Sequence, residues 1–150
     1  MNAFKDAIIQ SNIASLTGGI AVTYIEWSGA NQQSSLVNWT HVTDAASANA
    51  FANAIAATTR AFSSLTAPGS AINYVAPGFS ANSYEGARWV IDVSGDGPQN
   101  DGANTATARD NFLNSAPTGV SAVVNGLAIL GEFGLQDWYQ NNIQGVPTPL

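Results

Sequence analysis

The sequence contains no cysteine, one histidine (His41), one methionine and only four Lys and Arg residues. Without cysteine there is no disulfide framework, thiolate metal site or cysteine nucleophile, and the chain fits any redox compartment. A single histidine excludes a two-His zinc site of the H-E-x-x-H type. Four scattered cations cannot form the basic footprint that displaces counterions from a duplex, so nucleic acid is excluded as a partner. No apolar run approaches the roughly 18 residues of a membrane span. Met1 to Gln10 lacks the basic-then-apolar order of a signal peptide. Charged residues of both signs make up 9% of the chain, against roughly 25% in an ordinary soluble domain.

What is present is a packable chain. Its 150 residues are 45% hydrophobic, which predicts one domain over residues 1–150 with its own core. Ten Asp and Glu give a formal net charge of −6. Asn, Gln, Ser and Thr fill the polar quota, a composition that suggests an exported surface.

Hydrophobic spacing predicts a helix over Ala3 to Leu16, with Lys5 and Asp6 facing water and Thr17-Gly18-Gly19 ending it. Ile20 to Trp27, β-branched and aromatic, predicts a strand. A turn at Ser28-Gly29-Ala30-Asn31 leads to a second strand, Ser34 to Trp39, antiparallel to the first. Asp44 is a candidate cap, with Ser47 the alternative, for a helix over Ala45 to Ala57. The loop Thr66-Ala67-Pro68-Gly69 enters a short helix from Ser70 to about Ala76. The near-continuous apolar run Ala87 to Ser94 fits a strand buried on both faces, and Gly95-Asp96-Gly97-Pro98 breaks it. A helix over Thr105 to Asn114, a buried strand over Val120 to Leu130 and a helix over Leu135 to Asn142 follow. Alternation of strands and helices after one hairpin predicts an α/β sheet covered on both faces.

In such sheets ligands bind beyond the carboxyl ends of the strands. Asp96, between glycines at a strand end, is a candidate hard-cation ligand or, alternatively, a turn aspartate. Thr66 offers a hydroxyl at a loop-to-helix junction, or an N-cap. Asp92 lies mid-strand, where a charge is costly unless paired; it is expected to be buried with a partner, Arg109 on a covering helix being the best placed. Asp101 reads as a helix-opening cap, or a carboxylate supporting Asp96. His41 has neither a nucleophile nor a carboxylate beside it in sequence. Trp27, Trp39, Trp89 and Trp138 read as core or edge aromatics, with a carbohydrate platform the alternative.

Several of these segments resemble one family. Gly95-Asp96-Gly97 looks like the late-strand D-G of von Willebrand factor type A domains, and Thr66-Ala67-Pro68-Gly69-Ser70-Ala71-Ile72 is similar to their T-x-x-G-x-A-[IL] loop. The hairpin Ile20-Ala21-Val22 to Trp39-Thr40 matches their second and third strands. The phrases V-I-D-V-S-G-D-G, V-N-G-L-A-I and W-Y-Q-N-N-I are similar to a bacterial branch designated domain of unknown function 1194, and the resemblance covers essentially the whole chain. It implies a Rossmann-like three-layer α-β-α fold with a mostly parallel sheet and one antiparallel edge hairpin. It also implies a metal-ion-dependent adhesion site in which Thr66 is a direct hydroxyl ligand and Asp96 a direct or water-bridged carboxylate to Mg²⁺ or a similar cation. A protein partner's carboxylate completes the coordination in the family.

The family's first loop, D-x-S-x-S, does not occur in this sequence. Against the family pattern the chain starts within what would be the helix after that loop, as expected of an N-terminally truncated fragment, a misplaced start or a natural variant that closes the sheet differently. The metal site is therefore expected to be incomplete and weak, since Mg²⁺ wants near-octahedral oxygen geometry. The strands Ile20 to Trp27 and Ala87 to Ser94, which would flank the first strand, are expected either to pair directly or to present open edges that favour self-association. The leading expectation is a non-enzymatic binding or adhesion module, extracellular or at the cell surface, that recognises a protein. The alternative is a metal-free structural or assembly subunit. An enzyme ranks third, because the sequence offers no adjacent acid–base constellation.

Overall fold

The computed structural model describes residues 3–129 and 131–146. They form a mixed α/β protein with two separate two-stranded sheets, one antiparallel and one parallel. The chain divides into two compact units, one of residues Met1–Glu26 and Ser34–Ala61, the other of Trp27–Gln33 and Phe62–Leu150.

In the first unit a 3-10 turn, Ala3–Lys5, precedes helix α1, Ala7–Ser15. Asp6 splits what the spacing predicts as one helix. Its carboxylate accepts from the Ile8 and Ile9 N–H groups at 2.8 and 3.2 Å, so Asp6 is exposed as expected but serves as the N-cap and not as a residue within the helix. Strand β1, Ile20–Trp27, forms a sheet with β2, Gln33–Val42. β2 runs further at both ends than the predicted Ser34 to Trp39, and Val42 at its end is fully buried. Gly19, at φ 68°, lets the chain turn into β1 where a Cβ would strike the Val42 carbonyl. Helix α2, Ala45–Ala56, starts from a capping box in which Asp44 and Ser47 exchange hydrogen bonds, so both candidate caps take part. Ile13, Val42, Ala48 and Phe51 form this unit's core, with Phe4 edge-on to Phe51 at 4.9 Å.

The second unit holds helices α3 (Pro68–Val75), α4 (Gly78–Ala81), α5 (Thr105–Ser115) and α6 (Leu135–Asn142), and strands β3 (Arg88–Gly95) and β4 (Ser121–Ala128). β3 and β4 are parallel, with Ile91 opposite Val124 and Asp92 opposite Asn125. Gly145, after α6, closes an antiparallel bridge to Val124. Ile91, Val93, Ala122 and Val124 meet Phe112 of α5 and Leu135, Tyr139 and Ile143 of α6 in one cluster. Each large side chain buried there stabilises the fold by about 1.5–3 kcal/mol. Gly126 eases the crossing of α6 over β4, since a Cβ there would lie 3.0 Å from the Tyr139 ring and 3.1 Å from Ile143, a tight fit.

Several expectations differ from the structure. β3 is buried on one face only: Ile91 and Val93 point inward, while Arg88, Asp92 and Ser94 are exposed. The helices of this unit cover the inner face, and the apolar residues Val90 and Val123 on the outer one hid the alternation in sequence. Of the two outcomes expected for β1 and β3, direct pairing is not seen among the described residues, since each belongs to its own two-stranded sheet. α3 starts at Pro68, not Ser70, since proline suits a first helical turn whose N–H groups have no partner. The strand expected over Val120 to Leu130 spans Ser121–Ala128, and Leu130 lies outside the described residues.

Candidate functional site

Beyond the carboxyl end of β3, the second unit gathers a set of oxygen-bearing side chains. β3 ends at Gly95, where a Cβ would lie 2.5 Å from Tyr139 Oη and 3.3 Å from the Trp27 ring. The chain then turns through Asp96 and Gly97. A Cβ on Gly97 would lie 3.5 Å from Thr66 Oγ1 and 3.9 Å from Glu132 Oε2. Thr66 and Glu132 thus approach the same point, the residue after Asp96, from the loop before α3 and the loop after β4.

Thr66 is held by its backbone, leaving its hydroxyl uncommitted in the described contacts. Its N–H donates to Asn100 Oδ1 at 2.8 Å, and its carbonyl accepts from the Asn100 and Asp101 N–H groups at 3.0 and 3.2 Å. Its N-cap reading fails: Ala67 occupies that position and α3 has no side-chain cap. The next residue is tied down as well, with the Ala67 N–H donating to the Ser28 carbonyl at 2.9 Å. Buried Ser28 donates its hydroxyl to the Leu65 carbonyl and accepts from the Ser64 N–H. The loop carrying Thr66 is therefore fastened on both sides.

Tyr139 supplies the feature that spacing alone did not reveal. It is 1% exposed, and its Oη has no hydrogen-bond partner among the described residues. Burial, reinforced by the negative charge of Asp96, pushes the phenol up to about 12. It stays protonated at any physiological pH and can donate a hydrogen bond. Leu135, Tyr139 and Ile143 recur every four residues and all are buried, a period that could have marked Tyr139 as inward-facing. Glu132 was also overlooked, although the rule that placed Asp96 at a strand end applies equally to the loop after β4.

The remaining candidates lie elsewhere. Asp92 is exposed and not buried; it accepts from Asn125 Nδ2 at 2.7 Å across the ladder. Arg109 is not its partner. It pairs with Asp110 at 2.8 Å and donates to the Asn141 and Gln144 carbonyls, closing the end of α6. Asp101 neither opens α5 nor supports Asp96: it accepts from the Ala30 N–H at 2.7 Å, and Asn104 caps α5. His41 is exposed on β2 in the first unit, its Nε2 bonded to the Gly18 carbonyl. Trp27 and Trp138 pack against the second unit's core, as does Trp89.

Together these features define a mixed α/β protein with an oxygen-lined turn at the end of a parallel strand, a donor set suited to a hard cation or a hydrogen-bonding ligand. Among the described residues no three His, Cys, Asp or Glu side chains cluster to hold a metal by themselves. The chain belongs to the family described as a protein of unknown function (DUF1194), which matches residues 1–148. No curated protein and no solved structure matches it.

Proposed function

We propose that the chain is a non-enzymatic binding module of the von Willebrand factor type A kind, with the Rossmann-like three-layer arrangement of that fold. Its partner is a protein, met at the carboxyl end of β3, and its setting is extracellular or at the cell surface. The observation that supports this reading is the approach of Thr66 Oγ1 and Glu132 Oε2 to the Asp96–Gly97 turn. Thr66 and Asp96 would hold Mg²⁺ or a similar divalent cation. The bound ion would supply positive charge to a partner carboxylate. An all-oxygen set fits such an ion, and so few protein ligands leave most of its coordination to water or the partner, which makes the site weak alone.

Isothermal titration with Mg²⁺, Mn²⁺ and Ca²⁺ tests the reading. Saturable heat that disappears in Thr66→Ala and Asp96→Ala is expected. No heat with any of the three ions overturns the metal-dependent form. The second reading is a metal-free structural or assembly subunit, favoured by the open edges that two-stranded sheets leave. It expects higher-order species unaffected by chelator.

A further inference from the structure

The opposite end of β3 carries a second feature, independent of the oxygen cluster. A cavity of about 300 Å³ opens between α3, α4, α5 and the start of β3. Its aromatic wall is Trp89 and Phe112, whose rings lie 6.3 Å apart and 24° from parallel. Phe79 packs on both, at 5.4 and 5.1 Å, and fixes their orientation. Its polar wall is Asn73, Asn111, Ser80 and Ser115, and no charged side chain lines it.

The polar groups are available in a definite pattern. The carboxamides of Asn73 and Asn111 have no hydrogen bond among the described residues, so each offers one acceptor and two donors. Ser80 Oγ donates to the Pro77 carbonyl at 3.3 Å and Ser115 Oγ to the Phe112 carbonyl at 2.7 Å. With their protons committed, both hydroxyl oxygens present lone pairs. The cavity thus pairs an apolar wall with donors and acceptors of no net charge. An ionic ligand would lose hydration there without meeting a counter-charge. A neutral ring with hydroxyls on its rim and C–H groups on one face satisfies both walls, burying its apolar face against half-buried Trp89, which core-buried Phe112 backs from behind. The volume sits at the lower limit for small-molecule sites, room for one ring.

We propose that this cavity binds a single neutral sugar ring, supplied as a free monosaccharide or as the end unit of a glycan. The test is a ¹⁵N NMR titration of the full chain with glucose, N-acetylglucosamine, maltotriose and chitotriose, with inorganic phosphate as the charged control. Saturable shifts of the Trp89 indole and of the Asn73 and Asn111 side-chain amides are expected with at least one sugar. Asn73→Ala and Asn111→Ala should each weaken binding by about tenfold, equivalent to about 1.4 kcal/mol. Both side chains are exposed, so an unchanged melting curve separates lost binding from lost folding. A trimer that binds more tightly than its monomer assigns the site to glycan ends; equal affinity assigns it to the free sugar. Three results overturn the proposal: no saturable shift with any of the four sugars, affinity retained in both variants, or equal shifts with phosphate.

Discussion

Tyr139 Oη lies in the core of the second unit without a hydrogen-bond partner among the described residues, and an unsatisfied buried hydroxyl costs roughly 1–3 kcal/mol. Tyr139→Phe removes that cost while keeping the ring that packs on Gly126. Urea melts at neutral pH should therefore show the variant equal to the parent or more stable by about 1 kcal/mol. The phenol's folded value of about 12 exceeds its ordinary 10.0. Its contribution to stability is then fully present below pH 10 and is lost as pH rises through about 12. Alkaline melts should fall less steeply for the phenylalanine variant, and identical slopes would remove Tyr139 as the titrating group. A neutral donor kept at a cost to stability suits a site that waits for an acceptor, so the same variant should weaken whatever binds at the Asp96 turn. Asp92 is the contrasting case. Its bond to Asn125 is exposed, and cross-strand pairs of that kind contribute roughly 0.2–1 kcal/mol. Asp92→Ala should lower stability by no more than about 1 kcal/mol in denaturant melts.

At the scale of elements, α2 carries the clearest electrostatic signature. Hydrogen bonds from the Ser47 backbone and side chain hold the Asp44 carboxyl below its ordinary 3.8. The stability it lends is present above that ordinary value and is lost as pH falls through the lower folded one. Asp44→Asn keeps a good cap but cannot titrate. Acid melts between about pH 5 and pH 2 should show the parent losing more stability than the variant across that window. Equal losses would mean that other carboxylates govern acid unfolding. Most elements are legible in the sequence because their signals are local: Asp44 and Ser47 as caps before α2, and the glycine–aspartate break after β3; Pro68–Gly69 resembles loop and hides the true start of α3. What stayed hidden depends on tertiary placement. The alternation of Trp89, Ile91 and Val93 against Arg88, Asp92 and Ser94 is present in β3, but Val90 on the outer face makes the run look continuously apolar. Asp96 is legible as a strand-end residue and Thr66 as a hydroxyl at a loop-to-helix junction. For Glu132 and Tyr139 the local signals, a loop after a strand and a four-residue apolar period, are present, but that they meet near Asp96 follows from the path of the chain after β4, which no local motif encodes. Arg109 looked free for Asp92 until α6 brought its last carbonyls within reach.

At the scale of the whole molecule, the open strand edges decide how the chain behaves in solution. Among the described residues β1 shares a sheet with β2 alone, and β3 with β4 alone. In β3 the carbonyls of Ala87 and Gly95 accept from Ser121 and Ile129. The odd-numbered residues therefore bond β4, and the peptide groups of Arg88, Val90, Asp92 and Ser94 point to the other edge. Such an edge is a template for another chain unless charge or proline blunts it. Arg88 and Asp92 give it one charge of each sign, which offers a second copy as much attraction as repulsion. Light scattering should show a mass above the 15.5 kDa of one chain, rising with concentration. Val90→Pro removes one edge N–H and leaves the β3–β4 ladder intact, because Val90 donates toward the open side. The variant should return the mass toward that of a single chain with an unchanged far-UV spectrum. A parent that remains monomeric at high concentration would show that this edge is protected, and self-association through β3 would then be wrong.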